Sequence, residues 1–171
     1  MRQGWKIAVL GLGLALAGAP VAAVAQTAAP AAPKGPAHPY TKQHLYDETG
    51  DPMALIAAGL KQARAEHKRV ILDFGGDWCG DCQVLDIYFH DPANWPIVQK
   101  NFVVVHIFIG HMDKNIALAS SYGVPINKGV PALAVLNSNG VLLYSQKTGE
   151  FEDMRHMDVA SLTDFLNKWK G

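Results

Sequence analysis

With 171 residues, 49% of them hydrophobic, the chain can build one ordinary core and is short for two. Its 15 basic and 15 acidic side chains balance and lie scattered, so no basic stripe points to nucleic acid or an anionic membrane surface. No internal repeat, Gly-rich phosphate loop, His-Glu-x-x-His or Gly-x-Ser-x-Gly occurs, which removes support for those enzyme classes.

Residues Met1–Ala25 read as a secretory signal. Arg2 and Lys6 give a positive start, Ile7–Gly18 a short apolar run, and Ala23-Val24-Ala25 a small-x-small cleavage site. An uncleaved anchor is the other reading, though it needs ~20 apolar residues. Residues 26–39 are rich in Ala and Pro without apolar periodicity and are expected to form a disordered spacer. The folded domain is then expected over residues 40–171, as a monomer exported to the periplasm.

Tyr40–Gly50 is polar, with Leu45 and Tyr46 as docking residues. Asp51 is placed as an N-cap with Pro52 at the first helical position. That helix is expected to run to about His67, with Ile56, Leu60, Ala63 and His67 on one face. Val70–Phe74 reads as a strand buried on both faces, and Asp73 is the anomaly in it. Asp73 is either a strand-end acid paired with a Lys or a backbone donor, or a base that takes a proton from a thiol.

After Gly75-Gly76 come both cysteines, in Asp77-Trp78-Cys79-Gly80-Asp81-Cys82. Residues three apart on a first helical turn are neighbours, so the pair can open and close as a disulfide. Cys79 at the helix start meets unpaired N–H groups and the positive end of the helix dipole, which favour the thiolate, the nucleophile of disulfide exchange. A structural disulfide is the alternative in an exported protein. It explains little, because closing so short a loop removes little entropy from the unfolded chain.

The helix after Cys82 is expected to end near His90 before Asp91-Pro92, with Trp95 and Pro96 following. Phe102–Ile109 is a second strand, broken by His106, and two strands around a helix make a parallel pair. His106 is read as a hydrogen-bonded core histidine, with tuning of Asp73 as the second reading. Asp113–Tyr122 is weakly helical. Strands Ala132–Leu136 and Val141–Ser145 are joined by the hairpin signal Asn137-Ser138-Asn139-Gly140. Asp158 caps a last helix whose apolar face is Val159, Leu162, Phe165, Leu166 and Trp169.

From Val70 to about Lys170 the chain resembles the thioredoxin family, on Trp78-Cys79-Gly80-Asp81-Cys82, on Asp73 six residues earlier, and on Gly129-Val130-Pro131. The resemblance implies an α/β, thioredoxin-like fold with a central mixed β-sheet flanked by helices. It implies a cis peptide at Pro131 facing the dithiol, and a buried Asp73 beneath Cys82 that shuttles a proton. It also implies that the backbone at Val130 and Pro131 holds the substrate segment and that Trp78 shields the sulfur. Departures from the family pattern are Asp81 where many thioredoxins have Pro, Gly75-Gly76 where an aromatic and a small residue are usual, and about two extra residues in Pro125–Lys128.

The function read from these residues is an exported thiol–disulfide oxidoreductase that reduces disulfides in periplasmic proteins through Cys79 and Cys82, with Asp73 as base. It requires no cofactor, and its partners are disulfide-containing substrate proteins and a membrane or periplasmic thiol electron donor. Like charge from Asp77 and Asp81 argues for a potential nearer the ~−270 mV of thioredoxin than the ~−120 mV of a strong oxidant. Two other readings are a copper or zinc protein using Cys79, Cys82 and one of His90, His106 or His111, and a non-catalytic binding module.

Overall fold

The computed structural model describes residues 41–171; the expected signal (1–25) and spacer (26–39) lie outside them. Five helices and four strands follow in order: α1 (Pro52–Glu66), β1 (Arg69–Gly75), α2 (Gly80–Phe89), α3 (Trp95–Asn101), β2 (Phe102–Phe108), α4 (Ile116–Ser121), β3 (Ala132–Leu136), β4 (Leu142–Ser145) and α5 (Val159–Trp169). Single 3-10 turns occupy Ile126–Lys128 and Met154–His156.

The sheet order is β2-β1-β3-β4. β1 pairs parallel with β2 and antiparallel with β3, and β3 pairs antiparallel with β4. The parallel crossover runs through α2 and α3, as a βαβ unit must, and the β3–β4 turn is closed by Asn137, whose side chain accepts from the N–H groups of Asn139 and Val141. The fold is therefore the mixed α/β sheet expected. Alternation along the strands divides two cores. Val70, Leu72 and Phe74 pack with Ile56 and Ala63 of α1 and Ala119 of α4. Ile71, Leu133 and Val135 pack with Leu85 and Tyr88 of α2, Val98 of α3, and Leu162 and Leu166 of α5.

Capping accounts for where helices begin and end. Asp51 accepts from Met53 N at 2.9 Å at the start of α1, and Asp158 accepts from Ser161 N at 2.9 Å at the start of α5. Two expectations are corrected and one helix is added. His67 is not on the inner face of α1; it is an exposed left-handed cap (φ 55°), and Gly59 takes the inner position. α3, which carries no signal in the sequence, spans only Trp95–Asn101, too short for its periodicity to show, and Pro96 in its first turn supplies the start. α4 is shorter than Asp113–Tyr122, because Met112 and Asn115 take positive φ (72° and 54°) ahead of it. The extra residues near Pro125 form the turn that buries Ile126 in the first core.

Gly59 lets α1 lie close on β2: a Cβ there would fall 2.5 Å from Val105 Cγ2. Gly59→Ala gains about 1 kcal/mol of helix propensity but overpacks a buried contact, which typically costs ~1–3 kcal/mol. The expected outcome is net destabilisation of about 1 kcal/mol, measured as a lower urea midpoint at unchanged m-value.

Candidate active site

Cys79 and Cys82 form a disulfide with Cα atoms 5.3 Å apart, at the N-terminus of α2. Cys79 is the N-cap, and its sulfur accepts from Cys82 N at 3.1 Å. The two are unequal: Cys79 is 5% exposed and Cys82 is fully buried. Cys79 Sγ also lies 3.5 Å from the carbonyl oxygen of Val130, and the Val130-Pro131 peptide is cis. Trp78 is half exposed beside them, with Nε1 donating to Gly110 O at 2.7 Å and the indole stacked on His111.

Asp73 is 1% exposed on the central strand. Burying a carboxylate is costly unless it is hydrogen-bonded, and both partners meet one oxygen. The hydroxyl of Tyr46 donates to Oδ2 at 2.7 Å, and Nδ1 of His106 lies 2.9 Å from the same atom. Oδ1 is buried without a hydrogen-bond partner. His106 sits opposite Asp73 in the parallel β1–β2 register, so the ladder sets the two side chains on one face. Burial pushes the imidazole down, but the hydrogen bond and charge of Asp73, helped by Asp86 and Asp77, outweigh it and hold His106 above its ordinary value. Burial first, then the charge and hydrogen bond of Asp73, push Tyr46 far up, so it stays a neutral O–H donor.

Tyr46 reaches the site because the segment before α1 is fastened down. Gln83 makes a two-way bond with Gln43, accepting from its N at 2.8 Å and donating to its O at 3.0 Å. Buried Asp77 accepts from Leu45 N and Tyr46 N and pairs with His44. The unusual glycines follow from the same packing. A Cβ on Gly75 would fall 2.5 Å from the Tyr46 hydroxyl and 2.8 Å from Cys82 Sγ, and one on Gly76 would fall 2.5 Å from Trp78 Nε1. The Tyr46 phenol and the Cys82 sulfur thus both press on the space beside Gly75.

Asp81 corrects an expectation. It does not bear an uncompensated charge between the cysteines: it accepts from Arg155 N at 3.0 Å and Nε at 3.1 Å, and pairs with the guanidinium. An opposite charge in contact cancels most of its field at Cys79. Asp77 is likewise absorbed by N–H donors. The histidines named for a metal site are engaged apart from the sulfurs, His106 on Asp73, His90 with Asp86 and Trp95, and His111 on Trp78. Among the described residues no three of His, Cys, Asp and Glu come together to hold a metal ion. His106 is hydrogen-bonded as expected, with Asp73 as its partner, whereas no local signal in the sequence points to the roles of Tyr46, Gln83 and Arg155.

The model of thioredoxin-like proteins matches residues 51–138. The chain belongs to the thioredoxin-like family. A disulphide isomerase from Xylella fastidiosa Temecula1 is 36% identical, with 75% of this chain and 98% of that one covered and a TM-score of 0.69. A mutant thioredoxin from Halobacterium salinarum NRC-1 is 28% identical over 74% of this chain and 90% of its own, with a TM-score of 0.45. The oxidised C-terminal domain of DsbD from Neisseria meningitidis is 22% identical, covers 70% of this chain and 96% of its own, and has a TM-score of 0.50, a likeness of fold. No curated protein matches the chain. Family and Cys-x-x-Cys disulfide together make this thioredoxin-like protein a thiol–disulfide oxidoreductase.

Two outcomes are expected. If Asp81 and Arg155 cancel at Cys79, Asp81→Asn raises the potential and Arg155→Ala lowers it, each by about 5–20 mV if one screened charge changes the thiolate's stability by ~0.2–1 kcal/mol. The double variant returns to the wild-type value in glutathione buffers. Separately, folding raises His106, so its pairing adds stability that is complete below the unfolded value of ~6.5 and is lost as pH rises through the folded one. The stability gap between wild type and His106→Asn, from urea unfolding, should therefore be widest at pH 6 and narrow towards pH 9.

Proposed function

We propose that this protein is an exported oxidoreductase that reduces disulfides in periplasmic proteins. Cys79 is the attacking thiol and Cys82 the resolving one. The observation that carries the reading is the asymmetry of the site. Cys79, at the helix end, keeps slight exposure (5%), while Cys82 is fully buried in the same interior that holds a carboxylate with one oxygen bare. The Cys79 thiolate attacks a substrate disulfide and forms a mixed disulfide, releasing one substrate thiolate. Asp73 takes the proton of Cys82, whose thiolate attacks Cys79 Sγ, and the second substrate sulfur leaves with the electron pair. Val130 and Pro131 would hold the substrate backbone, since the Val130 carbonyl already faces Cys79. Trp78 would cover one side of the reacting sulfur.

The reducing direction is supported by what surrounds Cys79. Its two polar contacts are a backbone N–H and a backbone carbonyl, and neither is a cation. Helix-end stabilisation, ~0.3–1 kcal/mol at exposed sites, is less than the ~1.36 kcal/mol of one pKa unit. A strong oxidant owes its poise to a far more stable thiolate. Export is supported by the signal pattern at Met1–Ala25, and an oxidising compartment requires a thiol electron donor to reopen the disulfide. The 36% identical relative is called a disulphide isomerase, which is consistent with disulfide-bonded proteins as substrates.

Cys82→Ser should accumulate mixed disulfides with periplasmic proteins through Cys79, and Cys79→Ser should not, as read on non-reducing gels and by mass spectrometry of the captured species. Equal trapping by both variants would overturn the assignment of the two thiols.

A further inference from the structure

The reaction leaves a proton in a buried place. Taking His106 as the imidazolium that its pairing with Asp73 favours, Cys82 as thiol and Asp73 as carboxylate, the three groups carry no net charge in the mixed disulfide. Once Cys82 has given its proton to Asp73 and closed the disulfide, the same three groups carry one positive charge. An unpaired charge in so buried a setting is costly, and the new disulfide holds no proton site. One proton must therefore leave Asp73 and its partners as the bond forms.

Only some of the groups around Asp73 can release it. The Tyr46 hydroxyl is buried and pushed far from titration at neutral pH, and Cys82 is itself the donor. His106 differs in being 20% exposed at the side chain. Its Nδ1 is spent on Asp73 Oδ2, which leaves Nε2 as the ring nitrogen able to exchange with solvent. His106 lines an open cleft on the flank of the domain, between residues 43–45 and the C-terminal end of α2.

We propose that His106 is the exit for the proton that Asp73 takes from Cys82, the carboxyl receiving it on the bare oxygen while the imidazole on the other oxygen releases one from Nε2 into the cleft. This rests on the reading of Asp73 as the base for Cys82, and it assigns to His106 a positioning and relay role exerted through Asp73. The step balances. Cys82 loses S–H and gains S–S to Cys79, the Cys79–substrate S–S bond breaks with its electron pair on the departing sulfur, and one proton passes to water. In the reverse direction a proton enters by the same route. Substrate covers the face at Trp78 and Val130, so an exit on the flank keeps proton traffic open while a protein is bound.

The charged groups facing His106 fit an exit. Asp73 on β1 and Tyr46 meet it at Nδ1 or across its ring. Asp86 on α2 lines the cleft, its carboxyl held above the usual range chiefly by burial, and His90 lies with it. Beyond them stand His44 and Asp91 along the same cleft, Lys68 towards α3 and Asp47 towards α1. Acids outnumber bases there, which favours a cationic ring while Asp73 is ionised; a proton arriving on Asp73 removes the main partner holding that charge and lets the ring release its own outward.

The test uses the reduced full chain mixed with one equivalent of 5,5′-dithiobis(2-nitrobenzoate) in a stopped-flow absorbance experiment. The first release of thionitrobenzoate reports attack by Cys79 and the second reports resolution by Cys82. The leaving anion needs no proton, so the second phase isolates the proton of Cys82. His106→Asn keeps an N–H donor for Asp73 but cannot relay. It should leave the first phase unchanged, slow the second by about 10–100-fold at pH 7, and remove the imidazole inflection from its pH profile. In His106→Ala, added imidazole should restore the second phase in proportion to its concentration. A second phase as fast in His106→Asn as in wild type, equal slowing of both phases, or failure of imidazole to rescue would each overturn the exit. Asp73→Asn separates the two claims. If it slows resolution while the His106 variants do not, only the exit falls; if it leaves resolution unchanged, the base assignment falls and the exit with it.

Discussion

A carboxylate placed in the interior of a sheet has to be answered by donors, and the answer given to Asp73 organises this protein. One donor is its neighbour across the parallel ladder, His106, delivered by strand register. The other is a phenol that arrives from outside the sheet, and bringing it there calls for a fastened segment, a side-chain clamp from Gln83 and Asp77, and a glycine at position 75 to leave room. Both donors converge on the same oxygen. The arrangement hydrogen-bonds the buried carboxyl while keeping half of it unengaged, which suits the base role proposed for it.

The acidic residues of the motif turn out to serve as fasteners. Asp77 gathers backbone N–H groups of the incoming segment, and Asp81 ties the turn at Met154–His156 to the first turn of α2. Where many relatives place a Pro between the cysteines, this chain uses the position to hold its C-terminal region against the active-site helix. The electrostatics of the dithiol then depend on pairs rather than single charges, which is why counting acids along the motif overstates their effect on Cys79.

Much of this was legible in the sequence, and the limits have physical causes. Apolar runs with flanking breakers located the strands, caps located α1 and α5, and the Asn-Ser-Asn-Gly signal located the hairpin, because each is a local preference. The dithiol, Asp73 and the cis Pro131 were readable through motif order. The Asp73–His106 contact spans 33 residues and the Tyr46–Asp73 contact 27. Strand register and the path of an irregular segment decide such contacts, and neither leaves a periodic trace. Asp81 was misjudged for the same reason, since its partner Arg155 lies 74 residues away. α3 escaped because two turns of helix are too few to show a face.

The segment that carries Tyr46 has a consequence for what counts as a portable unit of this chemistry. The stretch matching the family, residues 51–138, contains both cysteines, Asp73, His106 and Pro131. It starts downstream of Tyr46 and stops short of Arg155 and α5. A chimera spliced at those borders would inherit the dithiol and Pro131 together with a carboxylate deprived of its phenol, a Gln83 amide with nothing to clasp, and an Asp81 facing an empty place. The transplantable module is the longer piece, from the clasped segment ahead of α1 through the last helix.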